Sequence, residues 1–171
     1  SSYGGKVNGE GLVVKTLETA QEAPWVYARA HRFLDLGDWL TRVLTGEDVK
    51  SQSTAVCNSL YHDRWGYPSR DFFYSVLPGA ESIPDKYASR MVPLGNRAGG
   101  LTSEMAGKLG LCPGIPVSAA MIDCHAAVPG CGAGEDGDLV MVLGTSSCLL
   151  LNSTREEGIP GVTSVAYEAH I

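Results

Sequence analysis

Apolar residues recur at helical spacing from Leu12 onward. Val14, Leu17 and Ala20, and then Val26, Ala28 and Ala30 beyond Pro24, predict two short amphipathic helices. Phe33-Leu34-Asp35-Leu36 breaks that period. Asp38 then reads as the N-cap of a helix over 39–45, with Leu40, Val43 and Leu44 turned inward and Gly46 as its stop. Thr, Val and Ser alternate loosely over 49–60, which predicts a short strand. Ser69 opens a helix through Phe72, Phe73 and Val76, and Pro78-Gly79 closes it. Residues 80–96 read as irregular except for a strand around Met91-Val92. Thr102 or Ser103 caps a helix over 104–109 that Gly110 ends.

The second half is patterned more sharply. Residues 116–122 form an apolar or small run of strand length, the signature of a strand covered on both faces. That run closes on Asp123, and the small residues after it predict a short helix followed by a loop over 130–138. Two solid apolar runs, Leu139–Leu143 and Ser147–Leu151, flank Gly144-Thr145-Ser146 and predict a tight β-hairpin.

Composition narrows the function classes. With 171 residues and 44% hydrophobic content, the chain is globular, either one domain or adjoining pieces of two. No stretch approaches the roughly 18 consecutive apolar residues of a membrane span, and no secretory leader pattern opens the chain. A soluble, cytoplasmic protein is expected. A net charge of -6 without a cationic cluster argues against a nucleic-acid partner. The five cysteines show neither CxxC pairing nor zinc spacing with the histidines, which suits reduced thiols, and no metal-ligating set stands out. Residues 132–137 match GxGxxG but precede a strand instead of opening a helix, and two acids lie within them, so they do not read as a dinucleotide site.

Two features carry candidate chemistry, each with a bland alternative. Asp123 is either a cap of the segment that begins at Cys124 or a carboxylate at the end of a strand, where open α/β sheets place their ligands. The turn Gly144-Thr145-Ser146 either satisfies its own backbone or presents N–H and hydroxyl groups that cradle a phosphate. His125 reads as a residue that orients a neighbour, not a metal ligand.

The order strand, Asp, small-residue helix, strand, Gly-Thr-Ser turn, strand resembles that of the FGGY carbohydrate kinases, members of the actin-like ATPase superfamily. The stretches "VPLGNRAGGLTSEMAGKLGLCPGIPVSAAMIDCHAAVPG" and "LVMVLGTSSC" carry the resemblance, and "FLDLGDWLTRVLTG" and "LYHDRWGYPSRDFF" extend it upstream. The branch acting on L-ribulose is the one the sequence is most similar to. The resemblance implies a partial ribonuclease H-like α/β fold spanning the junction of two domains. Residues 1–130 would be the latter part of the sugar-binding domain and 131–171 the start of the ATP-binding domain.

It further implies Asp123 as catalytic base, with Gly144, Thr145 and Ser146 at the terminal phosphates of ATP and Mg²⁺ as co-substrate ion. Asn58, Asp123 and His125 would lie on the sugar side. Family members usually carry at the Asn58 position a lysine that reaches the sugar, so a related ketopentose or a polyol, such as D-ribulose, xylulose or ribitol, stands beside L-ribulose as substrate. The family's Asp-Gly-Thr phosphate loop and Gly-rich adenosine site are not in this sequence, so the chain reads as a central slice whose partners include the remainder of a longer chain. Alone it is expected to be inactive, and its strand edges would permit a homodimer. The competing class is a non-catalytic sugar-sensing or interaction module.

Overall fold

The computed structural model describes residues 7–155, 159–162 and 165–166. Most of the Gly-rich opening segment, 1–6, lies outside them. Eight helices and six strands follow in mixed α/β order among the described residues. The first two helices, α1 (Leu12–Glu22) and α2 (Pro24–Arg29), occur as the pattern predicts, with Pro24 at the start of α2, where its missing N–H costs nothing. Tyr27, Phe73, Ala80, Ile83, Tyr87 and Val13 form one apolar cluster under these helices. A smaller cluster of Val49, Val92, Ala98 and Ala119 lies among the strands.

Helix α3 (Leu36–Thr45) corrects the sequence reading twice. Its N-cap residue is Asp35, and Asp38 sits inside the first turn. Its amphipathicity is also inverted. Asp38, Thr41 and Thr45 are buried, whereas Leu36, Trp39, Leu40 and Val43 are exposed. The inward polar groups have partners that apolar ones could not supply. Thr41 Oγ1 donates to Gly37 O at 2.9 Å and Thr45 Oγ1 to Thr41 O at 2.7 Å. Close approach replaces bulk on this face: a Cβ on Gly37 would come within 2.6 Å of Ala120 Cβ, and one on Gly99 within 2.7 Å of Thr45 Cβ.

The predicted strand over 49–60 is only β1 (Val49–Ser51), and the chain then turns into α4 (Gln52–Asn58). The cause is on β1 itself. Lys50, fully buried, points its ammonium at the start of α3, donating to Asp35 Oδ2 at 2.7 Å and to Asp38 Oδ2 at 3.3 Å. Ser51 N–H donates to Asp38 Oδ1 at 2.8 Å, and the Thr54 hydroxyl donates to Asp38 Oδ2 at 3.0 Å. Thr54 can reach that oxygen only if the residues after Ser51 coil, so the acid draws the chain into a helix. At the far end, Leu60 adopts a left-handed conformation (φ 57°) while Ser59 N–H and Tyr61 N–H both return to Ala55 O, which stops α4 just beyond Asn58. That conformation costs a non-glycine residue about 1–2 kcal/mol.

The route back to the sheet passes through α5 (Arg70–Val76) and α6 (Ile83–Tyr87). Ser69 caps α5 as expected, its side chain accepting from Phe72 N–H. Helix α6, within the segment read as irregular, was not foreseen. β2 (Arg90–Val92) then pairs in parallel with β1, Lys50 opposite Met91. β3 (Arg97–Gly100) pairs antiparallel with β4 (Pro116–Ser118), and Thr102 caps the intervening α7 (Ser103–Leu109). β4 is shorter than its apolar run and half-exposed to exposed along its length, not covered on both faces. Helix α8 (Asp123–Gly130) follows, and β5 (Leu139–Leu143) and β6 (Ser147–Leu151) form the predicted hairpin, with Leu143 opposite Ser147. The strands thus lie in three separate two-stranded sheets. Among the described residues no helix is long and apolar enough to cross a membrane.

Replacing Lys50 by Met would leave Asp35 and Asp38 facing each other without their shared cation. The expected loss is about 3–5 kcal/mol of unfolding free energy, measured by urea denaturation against the unsubstituted protein.

Candidate functional site

The buried acid pair and its lysine organise three further segments. Asn58, the last residue of α4, donates from Nδ2 to Asp35 Oδ1 at 2.9 Å, so Asp35 binds Lys50 with one oxygen and Asn58 with the other. The Ser51 hydroxyl donates to Ala120 O, tying β1 to the loop that leads into α8. Cys57 Sγ lies 3.6 Å from His125 Nε2, which closes the end of α4 against the first turn of α8. Asn58 and His125, both expected on the sugar side, are therefore joined through adjacent residues, and both are half-buried.

Asp123 is the first residue of α8, exposed, with Ile122 in the N-cap position. Its Oδ1 accepts from Cys124 N–H at 2.7 Å. The reading of Asp123 as a cap is thereby corrected: Ile122 holds the N-cap position, no side chain caps the helix, and the Asp123 carboxylate faces solvent. Next to it, burial and then the neighbouring Cys148 thiol on β6 raise the Cys124 thiol above its ordinary range. Cys148 pairs with Val142 one step in from the turn. Gly144, Thr145 and Ser146 form the exposed tip, with Gly144 N–H donating to Ser146 O at 3.0 Å. Helix α8 packs on both hairpin strands. The beginning of α8 and the turn end of the hairpin consequently meet.

Burial sets the state of the groups behind this crevice. It holds the Asp38 carboxyl above its ordinary range, opposed by Lys50 and by the Ser51 N–H. It pushes the Cys57 thiol up to about 12, with smaller contributions from Cys124 and Asp35. The Tyr67 phenol is raised chiefly by burial and then by Asp38, and its hydroxyl is buried without a hydrogen-bond partner. Tyr67 is packed between Tyr61 and Tyr87, with ring centroids 5.1 and 5.4 Å away. The sequence reading makes Asp38 a cap and singles out neither Lys50 nor Tyr67. The available signals were a lysine amid small and β-branched residues at 49–56 and two acids three residues apart, Asp35 and Asp38, which share a helix face.

No protein-family model matches the chain. Among curated proteins, the ribulokinase of Halalkalibacterium halodurans is 42% identical over 170 residues, covering 99% of this chain and 30% of that protein. The ribulokinase of Geobacillus thermodenitrificans is 41% identical over the same extent, with the same two coverages. Among solved structures, a xylulose kinase from Rhodospirillum rubrum superposes with a TM-score of 0.76 at 21% identity, covering 93% of this chain and 32% of that one. A gluconate kinase from Lactobacillus acidophilus gives 0.72 at 14% identity, covering 86% and 29%. The matched proteins are carbohydrate kinases, and the chain shares its fold with parts of two of them. Within that class the sequence is ribulokinase-like along essentially its whole length. The chain spans about 30% of the length of the curated relatives it matches.

Two measurements probe the electrostatics. Cys112 and Cys131 are exposed, whereas the Cys57 thiol stays protonated up to about 12. A thiol-reactive probe at pH 8 is expected to label Cys112 and Cys131 first and Cys57 last, read by peptide mass spectrometry. For Asp38, the folded value lies above the ordinary 3.8. Its contribution to stability is therefore full below the ordinary carboxylate range and lost as pH rises through the raised value. In Asp38→Asn that falling component is expected to vanish from a plot of unfolding free energy against pH.

Proposed function

We propose that this chain forms part of an ATP-dependent ketopentose kinase, with Asp123 as the base and the Gly144-Thr145-Ser146 turn at the phosphates. The observation that carries the proposal is the meeting of α8 and the hairpin. An exposed carboxylate begins the helix, an exposed hydroxyl-bearing turn ends the hairpin, and α8 packs on both hairpin strands. The ribulokinase relatives support L-ribulose as the substrate to test first.

The chemistry suits the residue types. A sugar hydroxyl is a weak nucleophile, and phosphoryl transfer passes through a loose transition state in which positioning and charge stabilisation do most of the work. Asp123 would orient the hydroxyl and take its proton as the new oxygen–phosphorus bond forms. The bond from the γ-phosphorus to the bridging oxygen breaks, and ADP leaves. Thr145 and Ser146 would donate hydrogen bonds to phosphate oxygens as charge spreads over them. Among the described residues no group of three or more His, Cys, Asp or Glu side chains is placed to hold a metal.

On this reading the domain junction falls at 130/131, between α8 and the loop before β5. The stretch alone would be inactive, since the relatives it matches are longer by the 70% it does not cover. In a full-length protein containing it, Asp123→Asn is expected to lower turnover of L-ribulose by about 10²–10⁴-fold while ATP affinity stays within about twofold. Turnover would be read by coupled ADP release and ATP affinity by calorimetry. Retained turnover would remove Asp123 from the role of base.

A further inference from the structure

The buried network behind the crevice has a directional consequence for Asn58. Asp35 is a two-sided acceptor: Oδ2 receives the Lys50 ammonium at 2.7 Å, and Oδ1 receives Asn58 Nδ2 at 2.9 Å. Its side chain is only 13% exposed, so these bonds are little diluted by water. Lys50 in turn is locked by Asp38, which is itself held by Ser51 N–H and the Thr54 hydroxyl. Asp35 therefore cannot turn away from Asn58 without breaking a buried ion pair. The amide of Asn58 is planar, so pointing its nitrogen at Asp35 turns its oxygen to the opposite side. The backbone gives no slack either, because α4 ends immediately beyond Asn58 at the left-handed Leu60. Cys57, one residue earlier, contacts His125 two residues beyond Asp123.

We propose that Asp35 is a positioning residue for sugar specificity, fixing the Asn58 amide so that it offers the substrate a carbonyl acceptor. This rests on the kinase reading above and deepens it. The recognised group is then a hydroxyl that donates to Asn58 Oδ1, as a ketopentose or polyol can supply. Without the Asp35 anchor the amide loses the bond that distinguishes its nitrogen from its oxygen. Asp35 touches no reacting atom, so its effect falls on sugar binding and not on the chemical step.

The test is a double-substitution cycle in the full-length protein, with L-ribulose, D-ribulose, xylulose and ribitol as probes. Asp35→Ala is expected to raise KM for the preferred sugar about tenfold, with kcat and KM for ATP within about twofold. Asn58→Ala is expected to raise it similarly, and the double variant no further, because the two residues act as one unit. Effects on KM that add independently would overturn the proposal, as would an Asp35→Ala enzyme with unchanged KM. A merely structural Asp35 would lower the active fraction, and so the apparent kcat, while leaving KM alone. Should Asp35→Ala fail to fold, Asp35→Glu keeps Lys50 paired but displaces the carboxylate by one methylene. It is expected to raise KM about threefold, and an unchanged KM there also overturns the proposal. If the unsubstituted enzyme phosphorylates none of the four sugars, the kinase reading falls first, an outcome distinct from an active enzyme whose Asp35 variants bind sugar normally.

Discussion

A single buried ammonium organises this molecule. Lys50 has no exposed side-chain surface, and two carboxylates converge on it from one end of α3. Withdrawing three charges from water is expensive, and the arrangement survives because each oxygen of Asp38 and both of Asp35 find donors. One cation against two acids leaves the cluster formally negative, and burial accordingly holds Asp38 above its ordinary range. Those donors come from β1, α4 and the end of α4, so satisfying the charges also assembles the elements. The Ser51 hydroxyl then extends the network to Ala120, and from there the chain runs directly into Asp123. The candidate catalytic carboxylate is exposed, but what locates it is dry.

The same network explains why sequence pattern misled at α3. Hydrophobic periodicity assumes that the apolar face turns inward, and Leu40 and Val43 lie at suitable spacing to form such a face. The helix instead buries Asp38, Thr41 and Thr45, because Lys50 needs a carboxylate more than the core needs a leucine. Alternation over 49–60 misled for the same reason: Thr54 serves Asp38 only from a helical position. Where local chemistry alone decides, the reading was sound. Ser69 and Thr102 accept from the N–H groups three residues on, Gly46 and Gly110 take up left-handed conformations at helix ends, and the hairpin closes around Gly144-Thr145-Ser146. Helix α6 escaped because Pro84, Asp85 and Lys86 fill its middle, and strand β3 because Arg97, Gly99 and Gly100 leave it one apolar residue.

The candidate site divides along similar lines. Asp123 and the hydroxyl-bearing turn were legible, since each is a contiguous motif at the edge of an apolar run. Their proximity was not, for it depends on the packing of α8 against β5 and β6. Nor was the anchoring of Asn58, whose partner Asp35 lies 23 residues upstream. The Cys57–His125 contact likewise joins α4 to α8 across 68 residues of chain. Such pairings are tertiary facts, and a single sequence carries no periodic trace of them.

The closeness of Gly37 to Ala120 has a mechanical corollary. With 2.6 Å between a hypothetical Cβ and the Ala120 methyl, α3 already rests against the loop ahead of α8. Interiors packed this densely resist compression far more than extension. Any side chain at position 37 would therefore push this loop, and with it the start of α8, away from α3.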